Sequence, residues 1–321
     1  MLSRILVVVA AASGFAAPVQ AQTGYPAKPI RYIVPYAPGG VVDNSARSLG
    51  QYFLEKMGQP VVIENRPGAS QAIALELAAK AVPDGYTIVT ANEAGLVFLT
   101  VSRKSLPYDP LRDFAPIGTM FTTSFYLLVH PSLSVGTVSE LIAYAKANPG
   151  KLSFGSVGIG SSQHLAMELF KIKTGTDMVH VPYKTAPTSM ADLLSARTQV
   201  MFEGPGSLPH MKSGKLRGLA ISSLHRSPAM PDLPPLAEAG VPGYEMSSWM
   251  GIATQAQVPR PVVDRLNREL GEWLRLSATR DRLAAQSLDP MPGTPEEMAE
   301  RIRSEIPVWA KVMRAAGIEP E

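Results

Sequence analysis

The sequence contains no cysteine. That excludes disulfides, thiolate metal sites, cysteine nucleophiles and the acylated cysteine of a bacterial lipoprotein. Charge of one sign is also lacking: 30 basic residues stand against 27 acidic ones, without long runs. Neither a nucleic-acid binder nor a polybasic membrane binder is expected. Beyond the N-terminus no apolar run approaches the roughly 20 residues of a transmembrane helix. Histidines number five, and no set of them has metal-ligand spacing. Neither a metal nor a cofactor is expected.

The N-terminus carries "MLSR", an apolar run "ILVVVAAASGFAA" and "PVQAQ". These are the basic, hydrophobic and small-residue regions of a secretory signal peptide, with cleavage predicted after Ala21. Without cysteine, an exported protein fits the bacterial periplasm. Some 300 mature residues exceed the usual size of one core, so two lobes are expected.

Strands and helices alternate along the chain. "KPIRYIVPY" reads as a strand, "APGG" as a turn, and Val42, Ala46, Leu49, Phe53 and Met57 recur at helical spacing. "PVVIEN", a helix with Ile73 and Leu77, and "PDGYTIVT" extend the pattern, which predicts a mostly parallel sheet. A second set begins at "SFYLLVH", with a capping box from Thr137 to Glu140. "FGSVGIGSS" then opens a helix that presents Leu165, Leu169 and Ile172 on one face and stops at Gly175. "MVHVPY", "MADLLS", "TQVMF" and "KLRGLAIS" complete the set. The segment Pro228 to Gly243, rich in proline and glycine, reads as a connection between lobes. Two amphipathic helices follow, one with Val263, Leu266, Leu270 and Trp273, the other with Met298, Ile302 and Trp309. With no strand read beside them, they are expected to cross back onto the first lobe, and Pro307 to kink the last.

Two loops, "VPYAPGGVVD" and "FGSVGIGSS", join a strand to a helix. Helix N-termini in such crevices offer free N–H groups and a partial positive charge, and glycine lets the backbone approach a ligand. Facing each other, the loops would form a carboxylate clamp without arginine. Competing motifs fail: no lysine follows Gly160 as a phosphate loop needs, G-x-S-x-G is absent, and Gln163 stands where a dinucleotide fingerprint wants glycine. A secreted serine hydrolase with His164 as base therefore lacks its elbow, and no enzyme is expected. The plainer alternative is that the glycines and serines merely cap a helix. Asp43 either pairs with Arg47 one turn on or braces the first loop; both readings stand. Tyr36, Tyr183 and Phe202 fit a pocket wall and core packing equally.

Seven ordered stretches, "YPAKPIRYIVPYAPGGVVDNSAR", "GQPVVIENRPGA", "AKAVPDGYTIV", "LPYDPLRDFAPIG", "FGSVGIGSSQHLAMELFK", "HVPYKTAPTSMADLL" and "AEAGVPGYEMSSWMGIATQAQVPRPVVDRLN", resemble the Bug family, the receptors of tripartite tricarboxylate transporters. The resemblance implies an α/β, two-lobed periplasmic-binding-protein fold of type II-like form, each lobe a mostly parallel sheet flanked by helices. On this reading residues 1–21 are the signal peptide, 22–122 begin lobe 1, 123–243 form lobe 2 and 244–321 return to lobe 1. It further implies a monomer that closes on a small carboxylate or dicarboxylate, aliphatic or aromatic, and hands it to the membrane subunits of a tripartite system. Signalling to a sensor kinase is the alternative role. Carried over position by position, the first loop supplies Tyr36, Ala37, Pro38, Gly39 and Gly40, with Asp43 behind them. The second supplies Ser156, Gly158, Gly160, Ser161 and His164, while Pro182, Tyr183 and Glu203 are wall or hinge positions. The chain departs from the family at "NRPGASQAIA", where Ser70 and Gln71 replace glycines, at "YKTAP", which lacks a glycine, and at Glu203, where aspartate is commoner.

Overall fold

A computed structural model describes residues 24–320; the expected signal peptide lies outside the described residues. The chain first lays down β1 (Ile30–Val34), α1 (Val41–Met57), β2 (Val61–Asn65), α2 (Ala72–Ala79) and β3 (Thr87–Asn92). A π-helical turn, Ala94–Phe98, runs into α3 (Leu99–Ser102), and β4 (Phe114–Ser124) follows. A second group comprises β5 (Tyr126–Val129), α4 (Val138–Ala147), β6 (Ser153–Ser156), α5 (Ser162–Thr174), β7 (Val179–Pro182), α6 (Ala186–Leu194), β8 (Val200–Glu203), α7 (Leu208–Lys212) and β9 (Arg217–Ile221). Then come β10 (Ser247–Gln255), α8 (Arg260–Arg275), α9 (Ser277–Ala284), β11 (Asp289–Pro290) and α10 (Pro295–Ala315).

The strands form two sheets, ordered β11-β4-β10-β3-β1-β2 and β7-β6-β8-β5-β9. Both are mixed, which corrects the expectation of mostly parallel sheets. β2, β1 and β3 pair in parallel, but β10 pairs antiparallel with β3 and β4. Likewise β7, β6 and β8 are parallel, while β5 lies antiparallel to β8 and β9. The reason is connectivity. A parallel neighbour needs a crossover helix, whereas β5 and β10 enter from the other sheet and slot in reversed. β10 went unread as a strand, because "SSWMGIATQ" is nearly all buried and shows no alternation.

Side chains on β1 alternate between two cores, as a strand's period of two requires. Ile30, Tyr32 and Val34 pack with α1 and α8, whereas Ile33 joins a core that also takes Leu127, Phe154, Phe170, Phe202, Trp249 and Trp309. That second core runs through both sheets. The α10 helix packs on β4, α3 and also α5, so it bridges the two groups rather than covering the first alone. It continues through Pro307 as one helix. The 228–243 segment stays against the second sheet, where Leu236 and Val241 are buried, and Tyr244 Oη next to it donates to the Ala166 carbonyl at 2.8 Å. The chain leaves that sheet only at Met246, whose N–H donates to the Ser222 carbonyl.

Candidate ligand-binding site

The second loop leaves β6 at Ser156 and enters α5 at Ser162. Gly158 and Gly160 have φ of +119° and +75°, conformations that a side chain resists. Ser161 is the N-cap, its Oγ accepting the His164 N–H at 3.3 Å. The N–H groups of Ser162 and Gln163, in the first turn, have no intrahelical acceptor. Behind the loop sits its brace. The Gly160 N–H donates to His164 Nδ1 at 3.1 Å, and Ser156 Oγ accepts the Gly158 N–H at 3.1 Å while lying 2.7 Å from His180 Nε2. The two imidazoles stack, 3.8 Å between centroids. Burial lowers their pKa values, to about 3 for His164, where His180 and Lys171 add to the effect, and to about 4 for His180. Both rings are therefore neutral near pH 7, as the His164 acceptor role requires.

On the opposite wall, Tyr36 follows β1. Its hydroxyl accepts Gln71 Nε2 at 3.1 Å and Asn92 Nδ2 at 3.0 Å. Asn92 is oriented by the Gly95 N–H, which can only donate, to Oδ1 at 3.2 Å. With two donors already received, the Tyr36 O–H has its own hydrogen left to give. Burial, reinforced by the charge of Glu93, raises its pKa and keeps that hydrogen in place.

Between these walls lies a cavity of about 430 Å³. Tyr36, Gln71, Asn92, Phe98 and Ser248 line it from the first sheet's side, Val157 and Gly160 to Gln163 from the second's, and Phe125 from the junction. Arg103, Ile318 and Glu319 are also among the lining residues. Of the residues expected from sequence, Tyr36, Gly160 and Ser161 are brought together here. Ala37, Pro38, Gly39 and Gly40 are exposed and lie outside the cavity wall.

Asp43, Ser156, Gly158 and His164 stand behind the walls. Asp43 does both things read for it, accepting the Gly39 N–H at 2.8 Å and pairing with Arg47 at 2.9 Å. Burial alone would raise its pKa, but Arg47, Gly39 and Asn65 outweigh it and bring the value to about 2. Pro182 is exposed at the end of β7, and Tyr183 donates to Asp192 at 2.7 Å, away from the cavity. Glu203 accepts the Gly204 N–H at 2.8 Å, and burial raises its pKa. Phe202 is core, stacked on Tyr244. The α5 face differs too: Leu165, Ala166, Met167 and Phe170 are buried, and Ile172 is exposed.

From sequence alone Gln71 stands out only as a departure from the family, and Asn92, Glu93, Phe98, Ser162, Gln163 and Ser248 are not marked as site residues. One signal was available: "TANEAG" places a polar pair at the carboxyl end of a central strand, where α/β ligands sit. Among the described residues, no group of three histidine or acidic side chains converges as a metal site needs.

Residues 45–318 match the family described as tripartite tricarboxylate transporter family receptor. The chain belongs to this family, the Bug-type receptors. It is 36% identical over 321 residues to protein BugT of Bordetella pertussis, covering 98% of both chains. Among solved structures it resembles R. palustris Rpa4515 with adipate, at 34% identity and a TM-score of 0.80, over 92% of this chain and 100% of that one. MatC of Rhodopseudomonas palustris, with bound malate, is similar at 27% identity and a TM-score of 0.75, over 90% and 99% of the two chains. In this Bug-type receptor the cavity lies at the carboxyl ends of β1, β3 and β6, where open α/β sheets take ligands.

Proposed function

We propose that this protein is a periplasmic receptor that captures a small carboxylate or dicarboxylate by hinge closure and delivers it to the membrane subunits of a tripartite transporter. One observation carries the reading. The Tyr36 O–H and the first N–H groups of α5 approach one cavity from opposite sides, and each can only donate to an anion placed there. Tyr36, Gly160 and Ser161 are the proposed contacts, with Ser162 and Gln163 beside them. Asp43, Ser156, Gly158 and His164 hold the two loops in shape. The two lobes are residues 22–122 with 244–321, and 123–243. The protein binds and does no chemistry: of the close serine–histidine pairs among the described residues, Ser156 with His180 has the serine fully buried and outside the cavity wall, and His130 with the exposed Ser132 does not line the cavity.

The cavity volume is in the range that holds one small molecule. Adipate and malate, found in the two similar structures, lead the panel to be tried, with acetate, citrate and terephthalate. The protein is refolded from denaturant to strip bound ligand, and its melting is followed with each acid. A ligand at about 100 times its dissociation constant adds about 2.7 kcal/mol, which at roughly 2–4 °C per kcal/mol is readily resolved. A shift confined to one or a few carboxylates is the expected result. A refolded protein indifferent to the whole panel and to citrate-like acids of other lengths overturns the reading.

A further inference from the structure

Glu93, which joins β3 to the π-helical turn, is 1% exposed and plays no part in the binding scheme above. Its Oε1 accepts Ser248 Oγ at 2.5 Å and Ser162 Oγ at 3.2 Å, and its Oε2 accepts the Trp249 N–H at 3.1 Å. Ser162 opens α5 beside the second sheet and Ser248 belongs to β10 of the first. Both line the cavity.

A serine hydroxyl has a single hydrogen. While Glu93 is ionised it can only accept, so both serine hydrogens point back at it and the oxygens turn lone pairs toward the cavity. Such a wall repels a carboxylate. A protonated Glu93 has a hydrogen to donate, and the receiving serine is freed to turn its own hydrogen into the cavity. That proton belongs on Oε1, because Oε2 faces a backbone N–H that can only donate.

We propose that capture of a carboxylate at this end of the cavity is coupled to uptake of one proton by Glu93, which frees one of Ser248 and Ser162 to donate into the cavity. The inference rests on the carboxylate-receptor reading above. The groups that face Glu93 are few in kind. Tyr36 stands on the β1 side and Ser162 on the α5 side. Glu300, Arg301 and Glu305 of α10, with Glu245 ahead of β10, line the hollow on its far side. Glu305 accepts Trp249 Nε1 at 3.0 Å and is only loosely paired with Arg301, at 3.6 Å. Burial, reinforced by Glu305, pushes the Glu93 carboxyl up to about 7 against the opposing hydrogen bonds from Ser248 and Trp249. Protonation is thus accessible near neutrality.

The sign follows from linkage. If the complex holds one more proton than the free protein, affinity is constant below the free-protein value and falls tenfold per pH unit above it. Adipate, malate and the other panel acids are titrated calorimetrically from about pH 6.5 to about pH 9, in phosphate and in Tris, whose different ionisation heats count protons. The expected result for the acid that binds is a slope approaching tenfold per unit at the alkaline end, with about one proton taken up there. In Glu93→Gln the slope and the proton disappear and alkaline affinity rises. Affinity independent of pH with no proton uptake overturns the coupling and leaves the receptor reading intact. So does a slope that Glu93→Gln retains. Should that variant not fold, the proton count in the unmodified protein decides. Failure of every acid to bind at any pH removes the receptor reading, and the coupling with it.

Discussion

In the proposed site, Tyr36 ties a single hydroxyl to both stability and binding. Two amide N–H groups already feed it, so Tyr36→Phe leaves Asn92 Nδ2 without that acceptor and Gln71 with only Asn92 Oδ1. A buried donor left unpaired costs about 1–3 kcal/mol, and losing a hydrogen bond to a charged ligand costs about 1.5–3 kcal/mol. The variant should therefore melt earlier and also bind its carboxylate roughly 10- to 150-fold more weakly. Calorimetric titration separates the two effects: a lower melting temperature with unchanged affinity would mean that Tyr36 only supports the wall. The place of Tyr36 in the loop after β1 is legible in the sequence, but residue pattern alone fits a pocket wall and core packing equally, and only the family resemblance favours the wall. Its partners are not legible, because Gln71 lies 35 and Asn92 56 residues away, and no local pattern encodes a hydrogen bond over that span. The same holds for the partners of Glu93: the acid stands beside Asn92 in the sequence, but Ser162 and Ser248 arrive from other elements.

The turn into α5 is the element on which the proposed site most depends. An added Cβ at Gly158 would meet only the Tyr183 carbonyl, at 3.9 Å, so space is available and the cost is conformational. With φ at +119°, Gly158→Ala should lose about 1–3 kcal/mol of stability. It should also weaken carboxylate binding, since the N–H groups of the turn shift with it. Gly206→Ala, likewise unobstructed but without positive φ, serves as the control and should be near neutral. Equal effects of the two substitutions in urea melts and titrations would refute a special role for the turn. Local chemistry made this element readable: the capping serine, the glycines, Lys171 and Lys173 in the last turn and Gly175 at +65° all follow from short-range rules. The buried face was less so. Spacing alone favoured Leu165, Leu169 and Ile172, whereas contact with β8 and α10 selects Leu165, Ala166 and Phe170. β10 escaped for a similar reason, since a strand buried on both faces loses the alternation that betrays it.

Across the molecule, what matters is that the largest core does not stop at the boundary between the sheets. Ile33 and Val89 of the first sheet share it with Phe154 and Phe202 of the second, and Phe98 meets Trp309 of α10 edge to face at 5.1 Å. Two chain crossings add to this, one at Phe125 between β4 and β5, the other at Met246 between β9 and β10. Unfolding either sheet alone would expose apolar surface that the other still needs covered. At roughly 25 cal/mol per Å² even a modest shared face is worth several kcal/mol, enough to couple the two. Thermal and urea unfolding of the ligand-free protein should accordingly follow one transition, with calorimetric and van't Hoff enthalpies equal. Circular dichroism, which reports all helices, should coincide with tryptophan fluorescence, whose three sources, Trp249, Trp273 and Trp309, all lie on elements of the first sheet's group. A second-sheet domain that melts separately would split these signals. That split would show the shared core to be a contact surface between independent lobes, which would then be free to swing further than a continuous core allows.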